Sequence, residues 1–494
     1  MNFNFSKTEF EKDLVENKNS ILFKKISCDT ITPVLACMKL QQEFDNNILL
    51  LESAENGNNK GRFSVLAFMP DLAWKVEEKS SFINLDFANN PEKFLKEEGD
   101  VLQNLRNLIK QSQINNFEKY QLPAIAAGIF GYFGYDMIQF IEKINLNNLS
   151  DELQIPESIF IRPQVIIVFD SLFDEAIICA PAFNNNSFES LVEKINLSEK
   201  ILNKPFQSNQ NSNDFAFDFS ANCSKEEYCK MVEKGKEYII DGDIFQVLPS
   251  MRFSSKFPQN SAFNFYRSLR SVNPSPFLFY LKLHDFVLTG SSPEIMVSLK
   301  NDKVTIRPLA GTRKRGKNTI EDQKIAQELL NDEKEIAEHL MLIDLGRHDV
   351  GRVSKAGSVA VTEKMVIENY SHVMHISSNV EGILDKKYDA LDALISGFPA
   401  GTVSGAPKIR AMEIIAEIEK DKRSFYAGCV GYFAANGDME TCITLRSSLI
   451  KDGKIHLQAG AGVVFDSKPE SEYEECHNKA RALMRACDKM SKFN

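Results

Sequence analysis

Residues 427–465, AGCVGYFAANGDMETCITLRSSLIKDGKIHLQAGAGVVF, decide the fold class of this 494-residue chain. The apolar runs of this stretch predict three consecutive strands, over residues 427–434, 441–451 and 454–465. A helix is expected next, from Pro469 to about Met490. Because further strands alternate with helices back to Ser224, the sequence predicts an α+β protein with large antiparallel sheets flanked by helices.

Besides a helix near 263–270, three more helices are expected upstream of the quoted stretch. The first covers 224–240 and is opened by the capping box Ser-Lys-Glu-Glu. A single long helix is predicted over 322–345. The third covers 406–419, where a proline marks the first turn and Ser404 or Gly405 would be the N-cap.

Composition and charge exclude several classes of protein. Acidic residues outnumber basic ones, 68 to 58, so the net charge of −10 argues against a nucleic-acid partner. Nine cysteines without a Cys-x-x-Cys pair indicate free thiols in a reducing compartment. The N-terminus lacks the basic and apolar regions of a signal peptide, and no apolar segment is long enough to span a bilayer. We therefore expect a cytoplasmic protein that binds neither nucleic acid nor membrane.

The polar run QSNQNSND at 207–214 is the sharpest change of composition along the chain. Such a run buries too little apolar surface to offset the entropy lost on ordering, so it predicts a linker or an exposed loop. We expect an N-terminal domain over 1–206, a linker over 207–221 and a second domain over 222–494.

Two pairs of glutamates have the spacing of neighbours on one helical face. Glu335 and Glu338 lie in the predicted long helix. Glu472 and Glu475 lie in the C-terminal helix, where Lys479 extends their stripe and could steady an anionic ligand. Facing helices with such pairs could hold one Mg²⁺ ion, which takes one or two carboxylates and completes its octahedron with water and substrate. Solvated acidic faces would give the same pattern, so both interpretations stay open.

Two segments rich in small residues could accommodate a ligand. Glycine inside a strand marks a bulge or the close approach of a ligand to the backbone, which applies to Gly460, Ala461 and Gly462. The loop PAGTVSGAPK at 399–408 opens a helix, whose free N–H groups favour an anion. A structural bulge and a structural turn explain these segments equally well.

An arginine and a histidine occupy predicted strands. Alternation places Cys442, Thr444 and Arg446 on one strand face. A mid-strand arginine among apolar neighbours requires an anion, either a structural carboxylate or a substrate. His375 lies on an apolar strand, where a hydrogen-bonded core histidine is commoner than a catalytic one.

Taken together, the segments from 224 to 487 resemble the chorismate-utilising enzymes. Six motifs carry the resemblance and follow the order typical of that family: IRPLAGTRKRG, DEKEIAEHLMLIDLGRHDVGRV, YSHVMHISSNVEG, GFPAGTVSGAPKIRAMEII, YAGCVGYF and AGAGVVFDSKPESEYEECHNKA. The resemblance implies a two-domain fold with extended antiparallel sheets and helices outside them. It also implies chorismate as substrate and Mg²⁺ as cofactor.

The resemblance assigns a role to each residue that matches a family motif. Two residues match direct Mg²⁺ ligands, Glu338 and Glu475, and two match companions that act through water, Glu335 and Glu472. Four match catalytic positions: Glu294, His375, Gln246 and Thr402. Among them, Glu294 matches the acid that protonates the departing 4-hydroxyl, and His375 matches the residue linked to the loss of pyruvate. Eight match contacts to the substrate: Gly311, Thr312, Tyr426, Arg446, Gly460, Ala461, Gly462 and Lys479.

Gln246 and Ala310 indicate which branch of the family this chain resembles. Relatives that add water carry a lysine base in place of Gln246, and ammonia needs no such base. Aminodeoxychorismate synthases usually carry a lysine nucleophile in place of Ala310, and alanine cannot form that adduct. Both residues favour the conversion of chorismate and ammonia to anthranilate and pyruvate. An aminodeoxychorismate synthase of the folate branch and a non-catalytic tryptophan-binding relative are the alternatives.

The resemblance also implies partners and regulation. Ammonia is expected from a separate glutamine amidotransferase subunit, in a heterotetramer, and L-tryptophan is expected to inhibit. Six residues match the feedback site for tryptophan: Ser53, Asn273, Pro274, Ser275, Leu278 and Cys442. Because Cys442 and Arg446 share the predicted strand, a shift of that strand on tryptophan binding would displace Arg446. We expect Cys442→Phe to weaken inhibition by tryptophan.

Overall fold

The computed structural model of the protein describes residues 3–44, 46–55, 59–183, 186–206, 215–370 and 373–493. Within them the chain forms eleven α-helices: α1 (Lys7–Asn17), α2 (Pro33–Gln41), α3 (Val101–Gln111), α4 (Phe188–Asn203), α5 (Lys225–Ile240), α6 (Ala262–Val272), α7 (Thr319–Leu330), α8 (Glu333–Gly351), α9 (Ala390–Gly397), α10 (Lys408–Ile418) and α11 (Pro469–Lys489).

The strands of the described residues are β1 (Ser20–Ser27), β2 (Ile48–Glu52), β3 (Ala54–Glu55), β4 (Asn59–Lys60), β5 (Phe63–Glu77), β6 (Ser80–Asn84), β7 (Leu95–Lys96), β8 (Gly128–Phe133), β9 (Ser158–Asp170), β10 (Glu175–Ala182), β11 (Ser220–Ala221), β12 (Gln246–Val247), β13 (Ser250–Lys256), β14 (Phe277–Lys282), β15 (Phe286–Ser292), β16 (Ile295–Lys300), β17 (Lys303–Ile306), β18 (Leu309–Lys314), β19 (Ala360–Asn369), β20 (Val373–Ile383), β21 (Gly405–Ala406), β22 (Cys429–Ala434), β23 (Met439–Ile443), β24 (Ser447–Lys451) and β25 (Lys454–Gly460).

Twenty-one of these strands join one hydrogen-bonded sheet system. Its ladders are antiparallel and helices pack outside it, which confirms the predicted α+β class. Strands from both predicted domains meet in it, because β2 pairs with β14 and β8 pairs with β22. The largest cluster of buried apolar side chains also includes residues from both parts, such as Trp74 and Met439. The domain boundary at 206 and the linker over 207–221 stay predictions, since 207–214 lie outside the described residues.

The strand predicted over 441–451 is wrong, because two strands occupy that stretch. β23 ends at Ile443 and β24 begins at Ser447. Arg446, between them, has a φ of 49°, which is a left-handed conformation that interrupts an extended strand. The predicted alternation of Cys442, Thr444 and Arg446 on one strand face is therefore wrong as well. β25 likewise ends at Gly460, five residues before the predicted end at Phe465.

The single helix predicted over 322–345 is also wrong, because α7 and α8 occupy it. Asp332 interrupts the helix as an N-cap, with its carboxylate accepting the N–H groups of Lys334 and Glu335. The capping box at the start of α5 is confirmed, since the Ser224 hydroxyl accepts the N–H of Glu227 and the Glu227 carboxylate accepts that of Ser224.

The predicted cap of the helix after the small-residue loop is wrong in a way that matters for the site. α10 begins at Lys408, and neither Ser404 nor Gly405 caps it. Gly405 and Ala406 instead form β21, which pairs with β12 so that Ala406 lies opposite Gln246. This ladder brings the loop at 399–408 to the side of Gln246.

In the parts of the chain that the structure describes, no helix combines the length and the apolar character needed to cross a bilayer.

Candidate active site

Helix α8 holds the first glutamate pair against strands β18 and β12. Glu335 Oε1 accepts a hydrogen bond from Nη1 of Arg313 in β18, at 2.9 Å. Glu338 Oε1 accepts one from Nε2 of Gln246 in β12, also at 2.9 Å. Gly311 lies directly under α8, because a Cβ at that position would be 3.2 Å from Glu335 Oε2. The two carboxylates therefore point from the helix into the space above these strands.

Helix α11 holds the second glutamate pair on the opposite side of the same space. Lys479 Nζ lies 2.7 Å from Glu475 Oε1 and donates a hydrogen bond to the Gly460 carbonyl at 2.9 Å. Burial raises the pKa of Glu472, and the negative charge of Glu475 adds to this shift, while Lys334 of α8 opposes it. Charges on α8 and α11 thus act on one another, and we call the space beside these helices and strands β12 and β18 the cleft.

The four glutamates are chemically suited to Mg²⁺. They offer only oxygen donors, which this hard cation prefers. Burial raises the pKa of Glu338, and the neighbouring Glu335 carboxylate raises it further. Among the described residues, no three His, Cys, Asp or Glu side chains come close enough together to enclose a metal. Since Mg²⁺ binds through one or two carboxylates when water and substrate complete its shell, the residues still fit the ion.

The turn after β25 forms the floor of the cleft. The Ala461 N–H donates to the Pro249 carbonyl at 3.2 Å, whereas the Gly462 N–H has no acceptor among the described residues. A Cβ on Gly462 would be 2.9 Å from Gln246 Nε2, so a side chain here would push the glutamine away. Glycine at this position therefore allows the amide of Gln246 to pack on the turn and leaves one N–H free for a ligand.

Arg446 supplies an unpaired cation beside this floor. Its guanidinium is half-buried and has neither a hydrogen-bond nor an ion-pair partner in the described part of the chain. Burial lowers the pKa of Arg446, and the nearby Tyr426 and Glu475 counteract that shift. Tyr426 is buried, and its hydroxyl would lie 3.2 Å from a Cβ on Gly460. A partly desolvated cation without a protein partner is suited to bind an anionic ligand.

Glu294 is a buried carboxyl group without a neighbouring cation. Its Oε1 accepts a hydrogen bond from the hydroxyl of Thr402 at 3.0 Å. Burial raises the pKa of Glu294 to about 8, although the Thr402 hydroxyl lowers it somewhat. The residue lines a cavity of about 20 Å³ together with Pro308 and Leu342. At neutral pH this carboxyl is mostly protonated and can donate a proton.

His375 in β20 is a neutral imidazole held by β18. Its Nδ1 lies 3.1 Å from the Gly311 carbonyl and 3.1 Å from Thr312 Oγ1. Because a carbonyl can only accept, Nδ1 carries the hydrogen and Nε2 keeps its lone pair. Burial lowers the pKa of His375 to about 4. The ring of Tyr370 meets the imidazole edge-on, with 5.4 Å between centroids. The lone pair on Nε2 of His375 is therefore free to accept a proton.

The residues predicted for the tryptophan site separate into two groups. Ser53, Pro274 and Leu278 line one cavity of about 280 Å³, together with Glu52 and Arg270. Asn273 and Ser275 flank Pro274 and are linked by a contact of 3.5 Å. Cys442 does not line that cavity, because it is buried in β23 between β16 and β22.

Three residues of the site have little or no signal in the sequence. Arg313 lies inside the motif IRPLAGTRKRG, and its contacts with Glu335 and Asp332 depend on the packing of α8 on β18. The contact of Tyr370 with His375 depends on the pairing of β19 with β20, in which Asn369 lies opposite Met374. Arg423 lies between a helix and a strand, without any periodic pattern that would mark it as buried.

Comparison with known proteins identifies the family of this chain. Residues 47–485 match the family model described as chorismate binding enzyme. The chain belongs to this family, which confirms the resemblance of its motifs. Among its relatives is anthranilate synthase component 1 of Cereibacter sphaeroides, 45% identical over 98% of this chain and 97% of that protein. Anthranilate synthase component 1 of Aquifex aeolicus is 41% identical over 99% of this chain and 98% of that protein.

Solved structures share the architecture. The crystal structure of anthranilate synthase component I from Streptococcus pneumoniae superimposes with a TM-score of 0.77 at 36% identity, covering 94% of this chain and 99% of that one. The menaquinone-specific isochorismate synthase of Escherichia coli, at 18% identity, superimposes with a TM-score of 0.70 over 98% of this chain and 99% of that one. The second likeness is one of fold.

Proposed function

We propose that this protein has anthranilate synthase activity, as the large, chorismate-binding component that converts chorismate and ammonia to anthranilate, pyruvate and water. The observation that carries the proposal is the Glu294 carboxyl, which burial keeps protonated beside Thr402. A reaction that expels hydroxide as water requires such an acid. Full-length relatives named anthranilate synthase component 1 support the same assignment.

Substrate binding would use the unpaired donors of the cleft. Chorismate carries two carboxylates, and Arg446, Lys479 and the Gly462 N–H are the groups available to anions there. Of these, only Lys479 has an anionic partner already, Glu475. We therefore assign the guanidinium of Arg446 to the carboxylate of the enolpyruvyl group, with the hydroxyl of Tyr426 beside it.

Gln246 supports ammonia as the nucleophile. Its Nε2 donates to the Glu338 carboxylate, which fixes the orientation of the amide. Its Oε1 is buried and has no hydrogen-bond partner among the described residues. An orphaned buried acceptor is costly unless a ligand satisfies it, and ammonia can donate an N–H to it. Ala310, paired with Ile376 in the β18–β20 ladder, offers no side-chain nucleophile that would compete.

The first half of the reaction would then be an amination. Ammonia attacks the ring with its lone pair, the ring double bonds shift, and the 4-hydroxyl leaves with the proton of Glu294 as water. Thr402 holds the carboxyl and stabilises the carboxylate that remains, because its hydroxyl is a donor. The ammonium group formed by the attack then loses a proton, and a proton returns to the Glu294 carboxylate.

The second half would be an elimination. His375 Nε2 removes the ring proton, the electron pair makes the ring aromatic, and the bond from the ring to the enolpyruvyl oxygen breaks. The departing enolpyruvate takes a proton to become pyruvate. The arrangement of Nδ1 on the Gly311 carbonyl supports this role, since it leaves Nε2 unprotonated. These two steps make the protein an oxo-acid lyase.

Glu338 and Glu475 are the residues that would bind Mg²⁺ directly, with Glu335 and Glu472 acting through water. When bound, the ion supplies positive charge that holds the ring carboxylate and neutralises it during the loss of hydroxide. The protein's own part is to bring oxygen donors from two helices to one cleft. The raised pKa values of Glu338 and Glu472 support this, because a bound cation would offset their burial and the repulsion that Glu335 exerts on Glu338 and Glu475 exerts on Glu472.

We further propose that this protein is a cytoplasmic enzyme and receives ammonia from a glutamine amidotransferase subunit. The two kinds of subunit would form a heterotetramer. The name component 1 of its relatives supports the existence of a second component. In the absence of the amidotransferase subunit, free ammonium would replace glutamine as the source of ammonia.

L-Tryptophan is the inhibitor that the cavity beside β2 suits. The cavity is lined by a carboxylate, Glu52, and a guanidinium, Arg270, which could hold the amino and carboxylate groups of an amino acid. Ser291 connects this cavity to the active site through two hydrogen bonds. Its hydroxyl bonds the carbonyl of Asn273 next to the cavity, and its N–H donates to the Arg446 carbonyl at 3.1 Å.

The test is to incubate the purified chain with chorismate, ammonium and Mg²⁺ and to measure anthranilate by fluorescence and pyruvate by a coupled assay. We expect both products in equal amounts, with less of each when tryptophan is added. Glutamine in place of ammonium should give no product. An amino-chorismate without pyruvate would assign the chain to the folate branch, and unchanged chorismate would refute catalysis.

A further inference from the structure

A buried arginine lies behind the active site, where several of its segments meet. Arg423 is 1% exposed. Its Nε and Nη2 donate hydrogen bonds to the two oxygens of Glu419, at 2.9 and 2.6 Å. Nη1 donates to the Val403 carbonyl at 2.8 Å, and Nη2 also donates to the Leu248 carbonyl at 2.5 Å. The planar guanidinium thus binds a carboxylate and two backbone carbonyls at once.

Each of these carbonyls belongs to a segment that carries a site residue. Val403 follows Thr402, whose hydroxyl donates to Glu294. Leu248 comes two residues after Gln246 in the chain, and its own N–H donates to the Ser404 carbonyl at 3.0 Å. Arg423 therefore connects the loop that carries Thr402 to the segment that carries Gln246.

Two further contacts extend this arrangement to the substrate-binding side. Glu419 Oε1 accepts the N–H and the hydroxyl of Ser250, at 2.8 and 2.9 Å, and Ser250 lies opposite Gly460 in the β13–β25 ladder. The Tyr426 N–H donates to the Arg423 carbonyl at 3.0 Å, and the Tyr426 ring centroid lies 5.8 Å from the guanidinium carbon.

We propose that Arg423, paired with Glu419, is a positioning residue of this enzyme. It does not touch the substrate but sets the relative placement of the segments of Thr402, Gln246 and Tyr426. The inference rests on the function proposed above. Accurate placement of these segments matters for the reaction rate. A displacement of a reacting group by about 1 Å can lower that rate about a hundredfold.

The chemistry of the contacts explains why an arginine is needed. A guanidinium presents donors in a rigid fork, whereas the ammonium of a lysine is a compact charge on a flexible stem. Buried ion pairs are often replaceable by apolar residues of similar volume without loss of stability. A pair of this kind is therefore weak evidence for a role in stability. Its contacts with three site segments favour a role in positioning.

The experiment exploits this property of buried pairs. In the double variant Glu419→Leu/Arg423→Met both charges are replaced by apolar side chains. We expect a folded protein, by circular dichroism and thermal melting, whose kcat for anthranilate formation from chorismate, ammonium and Mg²⁺ falls about a hundredfold. KM for chorismate should change much less, because the cations assigned to the substrate, Arg446 and Lys479, form no hydrogen bond with Arg423 among the described residues, and Tyr426 is a neutral contact beside them.

A second ion pair, between a buried arginine and a half-buried aspartate, provides the control. Arg162 and Asp71 form two hydrogen bonds, at 2.9 and 2.6 Å, in the β5–β9 region. The double variant Asp71→Leu/Arg162→Met should keep the parent's kcat. A folded Glu419→Leu/Arg423→Met protein with the kcat of the parent would overturn the proposal. A parent chain that forms no anthranilate would instead overturn the proposed function.

Arg423→Lys is the second variant, in case the double variant does not fold. It keeps the charge but not the fork, so we expect a folded protein with a kcat lowered at least about tenfold and a nearly unchanged KM. Unfolding of both variants, or a parent-like kcat in Arg423→Lys, would contradict a positioning role.

Discussion

Two glutamates buried to the same extent show how the two ligand regions of this molecule differ. Glu294 in the active-site cleft is 6% exposed, and Glu52 beside the 280 Å³ cavity is 7% exposed. Among the described residues, the side chain that bonds the carboxyl group of Glu294 is the neutral hydroxyl of Thr402, whereas Glu52 accepts hydrogen bonds from Arg270 and from the Tyr266 hydroxyl. A carboxyl without a cation is suited to give up a proton, and one beside a cation is suited to hold a charged ligand.

The two regions also differ in the space they offer. The cavity next to Glu294 measures about 20 Å³, whereas the one lined by Glu52 measures about 280 Å³. In both regions charged side chains pair with one another, as Glu335 does with Arg313 in the cleft and Glu52 does with Arg270 at the cavity. The cleft also contains Arg446, whose guanidinium has no such partner among the described residues. The cleft therefore offers an unpaired cation to an anionic ligand, whereas a ligand in the cavity would share Glu52 and Arg270 with the ion pair that they already form.

The largest expected effect comes from removing the acid. Glu294→Gln keeps the volume and the hydrogen bond to Thr402 but has no proton to donate, so kcat should fall about a thousandfold. The assay is the rate of anthranilate formation at saturating chorismate. Glu157→Gln is the control, since Glu157 is 7% exposed and lies outside both regions, and it should retain the parent's rate. An equal loss of rate in Glu294→Gln and Glu157→Gln would contradict the assignment of Glu294 as the acid.

Loss of one glutamate of the helix pair should come next in size. Removing Mg²⁺ with a chelator is expected to abolish activity, and added Mg²⁺ to restore it. Glu475→Gln should raise the Mg²⁺ concentration needed for half-maximal rate by about 10- to 100-fold, the effect typical of weakening a metal site. Glu474→Gln, on the adjacent exposed position of α11, is the control. Parent-like Mg²⁺ dependence in Glu475→Gln would refute its role as a ligand.

A smaller effect is expected at the cavity. Glu52→Gln removes the carboxylate that would face the amino group of tryptophan, so half-inhibition should require about tenfold more tryptophan. Inhibition curves at fixed chorismate measure this. The comparison of the two glutamates fails if Glu52→Gln loses anthranilate formation as severely as Glu294→Gln does.

Ser291 should contribute to the coupling between the regions. Ser291→Ala removes the hydroxyl that bonds the Asn273 carbonyl while its N–H to Arg446 remains. We expect tryptophan to inhibit about fivefold less tightly, within the usual range of coupling energies. Cys442→Phe tests the alternative route through β23. Stronger resistance to tryptophan in Cys442→Phe than in Ser291→Ala would favour that route.

The smallest expected effect concerns pH. Glu294 acts in its protonated form, so activity should be lost as the pH rises through its pKa of about 8. Thr402→Val removes a donor that lowers this pKa, so the pKa rises and the alkaline limb of the kcat profile moves to higher pH by about half a unit. Profiles of parent and variant between pH 6 and about 10 would measure the shift. A limb that moves to lower pH would contradict the assigned hydrogen bond.

Local sequence signals predicted much of the secondary structure. They did not predict the two interruptions, before α8 and at Arg446. The capping box of α5 is readable because its two partners are three residues apart. The break before α8 depends on Asp332, a residue that helices also tolerate in their interior. The break at Arg446 depends on a left-handed conformation that no glycine announces. A local side-chain cap at Asp332 and tertiary packing at Arg446 interrupt a pattern that is otherwise continuous.

By itself, the sequence determined the fold class, the order of the motifs and the residue types of the site. Only the tertiary structure decided which of those residues meet. Gln246 reaches Glu338 across 92 positions of the chain, and Thr402 reaches Glu294 across 108. Such contacts follow from strand register and helix packing, which no local pattern encodes. Burial, the cause of the raised pKa of Glu294, is likewise a property of the folded chain and of no single segment.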